Sequence, residues 1–247
     1  MEVQSRNGSK GKLISYESWD RCKIEVASGY QYYVEYSKFI RGQFKDPFIR
    51  TCYGVGYFGD GPFTSNKGTT DSKIHKVWCD IFKRSYSELE QARYPTYKGC
   101  EVDERWHCYQ DFAKWYVHQR GAFTPKWAID KDLIHKHNKI YGPDTCFLLP
   151  PEINGALLRQ TRVNKKPEDL PIGVSRHSSG IGYTSTKLFK PTNTRIFFGR
   201  FETKEEAFMA YKECRENHMK GLANKYKGII DDKAYDLLMN WEITLDD

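Results

Sequence analysis

The chain has 247 residues, of which 39% are hydrophobic and 15% aromatic, and it carries a formal net charge of +7. That apolar mass is enough for packed cores and excludes a disordered chain, while no run approaches the roughly 20 apolar residues of a membrane-spanning helix. The opening MEVQSRNGSKGK lacks the apolar centre of a secretory signal, so the expected location is the cytoplasm, with no membrane partner.

In chain order, KIEVASGYQYYVEYSKF alternates β-branched and aromatic residues about a turn at Gly29. Ile24 and Val26, then Tyr30, Tyr32, Val34 and Tyr36, predict the strands of a hairpin. The glycine-dense GVGYFGDGPF lacks the G-x-x-x-x-G-K-[ST] spacing of a phosphate loop. It reads as tight turns in a small β unit over 1–68. SKIHKVWCDIFKRSYSE sets Ile74, Val77, Trp78, Ile81 and Phe82 at helical spacing, with Asp71 or Ser72 as the cap. YPTYKGCEVDERW reads as a turn and a short strand. It leads to a second helix, CYQDFAKWYVHQ, with Phe112, Trp115 and Tyr116 on one stripe. Both stripes read as core.

AIDKDLIHKHNKIYGPDTCFLLPPEIN is a short strand ending in Asp130-Lys131-Asp132, a polar turn, a second strand near Cys146–Leu149 and a helix opening over Glu152–Leu158. Strand, strand, helix is the order of a ββα metal nuclease hairpin, and it closes a middle segment of 69–164. In the last segment, 165–247, GYTSTKLF and TRIFFGRF are strands joined by PTNT. A long helix follows, opened by a Thr203/Glu206 capping box, and a final helix lies near Asp232–Trp241. The fold class is α+β.

The charge is confined to one place. Between Gln160 and Gly228 stand fourteen Lys and Arg against seven Asp and Glu, so the rest of the chain is neutral. A basic segment of this kind points to a polyanion, most simply nucleic acid, or else to an ordinary solvated surface. The seven cysteines are odd in number, scattered, and include no C-x-x-C pair. They read as reduced, buried thiols, with a site built from Cys100, His107, Cys108 and Cys146 as the alternative.

GVGYFGDG, HKVWCDIFKRSY, PTYKGCEVDERW, DKDLIHKHNKIYGPDTCFLLPPEIN and LPIGV…FFGRFETKEEAFMAYK form an ordered series. The series resembles the bacteriophage HNH homing-endonuclease-like proteins with a C-terminal Apetala-type (ethylene-response-factor) DNA-binding domain. The likeness covers most of the chain. It implies that the last segment is a three-stranded antiparallel sheet packed on one helix, with the open face laid in the major groove of double-stranded DNA. Alternation then turns Val174, Tyr183, Ser185, Ile196 and Phe198 toward the helix. It turns Ser175, His177, Thr186, Leu188, Arg195 and Phe197 toward DNA, with Arg176 and Lys190 near phosphates. The chain departs from the plant pattern: most base-reading arginines are absent and only Arg195 keeps its place. Lys187 falls on an inward position, which leaves the register open by one residue. The expected affinity is phosphate-driven and salt-sensitive, with weaker sequence readout.

For the middle segment the resemblance implies an HNH-like DNA endonuclease that uses Mg²⁺ or Mn²⁺ to hydrolyse a phosphodiester. Asp130 takes the metal-ligand position at the strand end, Asp132 is a second carboxylate on the same strand face, and Asn154 takes the last ligand position. Asn138 fixes the hairpin. Lys131 stands at the general-base position, where an ammonium of pKa about 10.4 is a poor base unless desolvated. It fits a phosphate clamp instead, with His135 or His137 supplying the imidazole. The plainer reading has Asp130 and Asp132 capping a turn, His135 and His137 in solvent, and Asn138 and Asn154 as hairpin and helix caps. Three functions follow: an endonuclease positioned by its C-terminal domain, a catalytically inactive DNA-binding protein that blocks or redirects host machinery, or a phage inhibitor of a protein partner. A host or phage partner of that kind would meet the aromatic N-terminal β unit. The setting implied is the cytoplasm of an infected bacterial cell.

Overall fold

A computed structural model describes residues 1–6, 8–157, 170–189 and 194–245 of the chain. Its elements, in order, are β1 (Glu2–Gln4), β2 (Lys10–Ser18), β3 (Arg21–Val26), β4 (Gln31–Val34), α1 (Tyr36–Ile40), α2 (Thr70–Tyr86), α3 (Glu88–Arg93), β5 (Glu101–Val102), α4 (Tyr109–Val117) and β6 (Ala128–Asp130). There follow β7 (Ile140–Tyr141), β8 (Phe147–Leu149), α5 (Pro151–Leu157), β9 (Val174–Arg176), β10 (Tyr183–Phe189), β11 (Thr194–Phe201), α6 (Lys204–Lys225) and α7 (Asp232–Met239). The mixture of small sheets and helices is α+β. No described helix is long and apolar enough to cross a membrane.

These residues divide into two compact units: Met1–Val117 with Lys139–Asp144, and His118–Asn138 with Thr145–Asp247. The division sets part of the expected middle segment, 69–164, with each unit. The expected boundary at 164/165 lies outside the described residues, as do Leu158 and most of the PTNT turn.

In the first unit β1, β2, β3 and β4 form one antiparallel sheet in that order. The expected hairpin is β3–β4, and Gly29 takes φ +83° in its turn, a conformation glycine adopts without a Cβ clash. Alternate residues Cys22, Ile24 and Val26 point inward onto Phe39 of α1 and Phe44. The α2 stripe is buried as its spacing requires, with Ile74, Trp78, Ile81 and Phe82 in the core. Its cap differs from expectation. Thr69 is the N-cap and accepts from the Ser72 N–H, whereas Asp71 reaches back to accept from the Thr64 N–H. Trp78 Nε1 donates to the Trp106 carbonyl at 2.8 Å, which satisfies the one polar atom of a buried indole. In the glycine-dense turn, a Cβ on Gly56 would stand 2.7 Å from the Trp78 ring, so that glycine is a packing requirement. β5 pairs in parallel with β7.

In the second unit β6 and β8 pair antiparallel, with Asp130 opposite Phe147, and α5 follows at once. β9, β10 and β11 form a separate antiparallel sheet with β10 in the centre. α6 serves both. Its first half sets Ala207, Phe208 and Tyr211 against Val174 and the sheet, and its second half sets Met219, Leu222 and Ala223 against Leu133, Leu149, Ile153 and α7. Two apolar faces at two heights explain why this helix shows no single stripe. The Thr203/Glu206 capping box is formed in both directions.

Candidate functional site

The hairpin turn after β6 is closed by its own polar groups. Asp130 is 8% exposed, and its Oδ1 accepts from the N–H of Asp132 at 3.0 Å and of Leu133 at 2.9 Å. An Asp at the end of a strand favours this local bond, which turns the chain. Burial raises the Asp130 carboxyl to about 6, and the nearby Asp132 charge pushes the same way. Lys131 is 7% exposed; its Nζ donates to Asp132 Oδ1 at 2.7 Å and to the Asn138 carbonyl. Asn138 Nδ2 donates to the Lys131 carbonyl at 2.8 Å. The left-handed φ of His137, +62°, turns the chain so that Asn138 can close this ring.

The expected residues are thus in part brought together. Asp130, Lys131, Asp132 and Asn138 meet in one hydrogen-bonded turn. His135 and His137 are exposed on its outside. Asn154 is half-buried on α5, which packs against β6. Among the described residues no three His, Cys, Asp or Glu side chains are grouped to hold a metal, and this holds also for Cys100, His107, Cys108 and Cys146. A divalent cation at Asp132 would meet the Lys131 ammonium already bound there. One at Asp130 would compete with two backbone N–H donors for Oδ1. The donor set as organised fits a closed turn better than a cation.

The sheet offers a second surface. Residues directly opposite one another share a face. Thr186 pairs with Phe197, Leu188 with Arg195, and Thr184 with both Ser175 and Arg200. Phe197 is 61% exposed, and Arg195 and Arg200 are exposed beside it. Ser175, Thr186 and Leu188 are half-buried in the same surface. The opposite face carries Val174 and Ser185, both buried against α6, together with Lys187 at 3% exposure. Along β9 and β10 the facing is the expected one, and Lys187 does point inward; Ile196 of β11, expected toward the helix, is instead 40% exposed. Arg176 follows the parity of Val174 and lies over the Tyr183 ring at the sheet edge, 5.9 Å from its centroid. His177 is held in the β9–β10 hairpin, where its Nδ1 meets Ser179 Oγ at 2.8 Å. Lys190 lies outside the described residues. Alternation along the strand alone does not give Arg200 the outward face. A register slip between Ser185 and Thr186 gives it the outward face, and it ties the hairpin by donating to Ser179 Oγ and the Ile181 carbonyl.

No family model, curated protein or solved structure matches the chain.

Proposed function

We propose that the protein binds double-stranded DNA through the outward face of the β9–β10–β11 sheet. One observation carries this reading: α6 covers one face of the sheet, while the other presents Arg195, Phe197 and Arg200 together. That surface sits in the segment holding the chain's whole net positive charge. A two-stranded ribbon enters a major groove about 12 Å wide. Arginines there contact phosphates or guanine edges, and an exposed aromatic ring makes apolar contact with a thymine methyl. In this reading the Asp130–Asn138 turn is a scaffold that fixes the hairpin to α6 and α7.

A second reading, metal-dependent DNA cleavage, is favoured by the strand–strand–helix order of β6, β8 and α5, with Asp130 at the strand end and Asn154 on the helix. There Mg²⁺ or Mn²⁺ would supply charge stabilisation at the scissile phosphate, and an exposed imidazole, His135 or His137, would take a proton from water.

Supercoiled plasmid incubated with the protein in Mg²⁺ or Mn²⁺ separates the two, beside EDTA and an Asp130→Ala variant. The expected result is retarded plasmid that stays supercoiled in every lane. Nicked or linear product that vanishes with EDTA and with Asp130→Ala would replace the scaffold role by the nuclease. An unshifted, uncut plasmid would overturn both and move the reading to a protein partner on the N-terminal β unit.

A further inference from the structure

The first unit holds a cavity of about 440 Å³ lined by Thr51, Cys52, Tyr53, Phe58, His75, Trp78 and Cys79. Two thiols and an imidazole are therefore walls of one space. Cys79 and His75 are one turn apart on α2, and Cys79 Sγ lies 3.8 Å from both ring nitrogens. Cys52 comes from a tight turn closed by the Gly56 N–H donating to its carbonyl and its own N–H donating to the Gly56 carbonyl. Its side chain lines the same cavity as that of Cys79. Both thiols are free and half-buried, so they are reachable from the cavity, whereas Cys22, Cys100, Cys108 and Cys146 are buried. The next residue, Tyr53, adopts φ +53°, a left-handed conformation unfavourable for a bulky side chain. Strain of this kind is held in place by its surroundings and gathers at functional positions.

We infer that this cavity is a thiol–disulfide site, in which Cys79 is the attacking thiolate, Cys52 its resolving partner, and a peroxide the oxidant.

The electrostatics agree with the geometry. The neighbouring Cys52 thiol holds the Cys79 thiol well below the ordinary range, helped by His75 and opposed by burial and by Asp80. Cys52 is pushed the other way by Cys79 and by burial. The division of roles follows from His75, whose ring nitrogens lie 3.8 Å from the Cys79 sulfur. The Cys79 thiolate attacks one peroxide oxygen, the O–O bond breaks, and the leaving oxygen takes a proton to become water or an alcohol. Cys79 is then a sulfenic acid. The Cys52 sulfur, losing its proton, attacks the Cys79 sulfur; the S–S bond forms, the S–O bond breaks and water leaves. Two thiols are oxidised by two electrons and one peroxide is reduced. His75 is a positioning residue that biases Cys79 toward its thiolate.

The test uses the full chain and hydrogen peroxide, followed by alkylation of remaining thiols and peptide mapping. The expected outcome is the loss of two thiols and a Cys52–Cys79 cross-linked peptide, with Cys214 still alkylated. Before oxidation, Cys79 should alkylate at pH 7 roughly tenfold or more faster than half-buried Cys214. In Cys52→Ser, oxidation should stop at a Cys79 sulfenic acid that dimedone traps. In His75→Gln, the pH midpoint of Cys79 alkylation should move upward. Equal alkylation of Cys79 and Cys214, or oxidised wild-type protein without the Cys52–Cys79 link, would overturn the inference without need of any variant.

Discussion

Lys187 of β10 and Arg215 of α6 are like charges buried together beneath the second sheet, at 3% and 5% exposure. Arg215 is satisfied in part: one Nη donates to the Ala156 carbonyl at 2.8 Å, and its guanidinium lies 5.3 Å from the Trp241 ring centroid. Burial, and then Arg215, lower the Lys187 ammonium to about 8. Burial also lowers His218 on the same helix, with Lys187 and Arg215 adding to it. Basic residues therefore occupy both faces of this sheet, but only the outward ones can meet a polyanion.

The buried lysine makes stability depend on alkaline pH. Its folded value lies below the unfolded one of 10.5. Between pH 8 and 10.5 the unfolded chain thus holds the extra proton, and stability contributed by Lys187 rises with pH. Lys187→Met should remove that rise, because the long apolar side chain fills the same space without a group that titrates. Thermal melts of both proteins from pH 7 to 10 check this. A variant that melts far below wild type at every pH would show that the charge is needed where it lies.

Asp130 acts in the opposite window. Its folded value, about 6, stands above the ordinary 3.8. The folded state therefore binds the proton more tightly, and stability from this group is full below pH 4 and lost as pH rises through 6. The difference corresponds to roughly 3 kcal/mol at most. Asp130→Asn keeps the Oδ1 acceptor for the Asp132 and Leu133 N–H groups and removes the charge. It should flatten the pH 4–6 slope of the melting temperature and raise it at pH 7.5. Adding Mg²⁺ gives a second readout, since a metal ligand would stabilise wild type and not the variant.

Much of the second sheet was legible because period two is strict. Val174 and Ser185 had to share a face, and Lys187 fell on that face whether or not a lysine suits it. The Thr203/Glu206 box was legible because both its bonds lie within four residues. The α2 cap was not, since Thr69, Asp71 and Ser72 all fit the composition and only tertiary contact with Thr64 sends Asp71 elsewhere. Nor was the Cys52–Cys79 pairing, which joins a loop to a helix twenty-seven positions later with no short motif. The Asp130–Asn138 turn lies between: its residues were singled out, but the closure of Lys131 onto Asn138 depends on the backbone of His137.

DNA affinity, if it resides on the outward sheet face, should respond differently at two neighbouring positions. Arg195→Ala removes a cation that contacts phosphate or guanine, so affinity should fall about tenfold and the salt slope should lose about one unit. Phe197→Ala removes an apolar contact, so affinity should fall while the slope stays unchanged. Both side chains are exposed, and melting temperatures should hold. Fluorescence anisotropy on a mixed-sequence duplex over a salt series measures both terms. Two unaltered affinities would remove this face from the interface.

The hairpin turn gives the sharpest test of scaffold against active site. Asn138→Ala deletes the Nδ2 donor to the Lys131 carbonyl and loosens the segment whose carbonyl accepts Lys131 Nζ. Losing a hydrogen bond at a half-buried turn destabilises by about 1–2 kcal/mol. The loss should be local first. The Asp132 and Leu133 amides are tied to Asp130 Oδ1 inside this turn, so they should exchange with deuterium faster in the variant while α6 amides keep their protection. His135→Ala is the control, because His135 is exposed on the outside of the turn and its removal should change stability by no more than about 0.5 kcal/mol. A scaffold predicts that Asn138→Ala destabilises and His135→Ala does nothing to either stability or DNA handling. If instead His135→Ala leaves the fold intact but abolishes a Mg²⁺-dependent cut, the turn is an active site and its hydrogen bonds serve to hold that imidazole in reach.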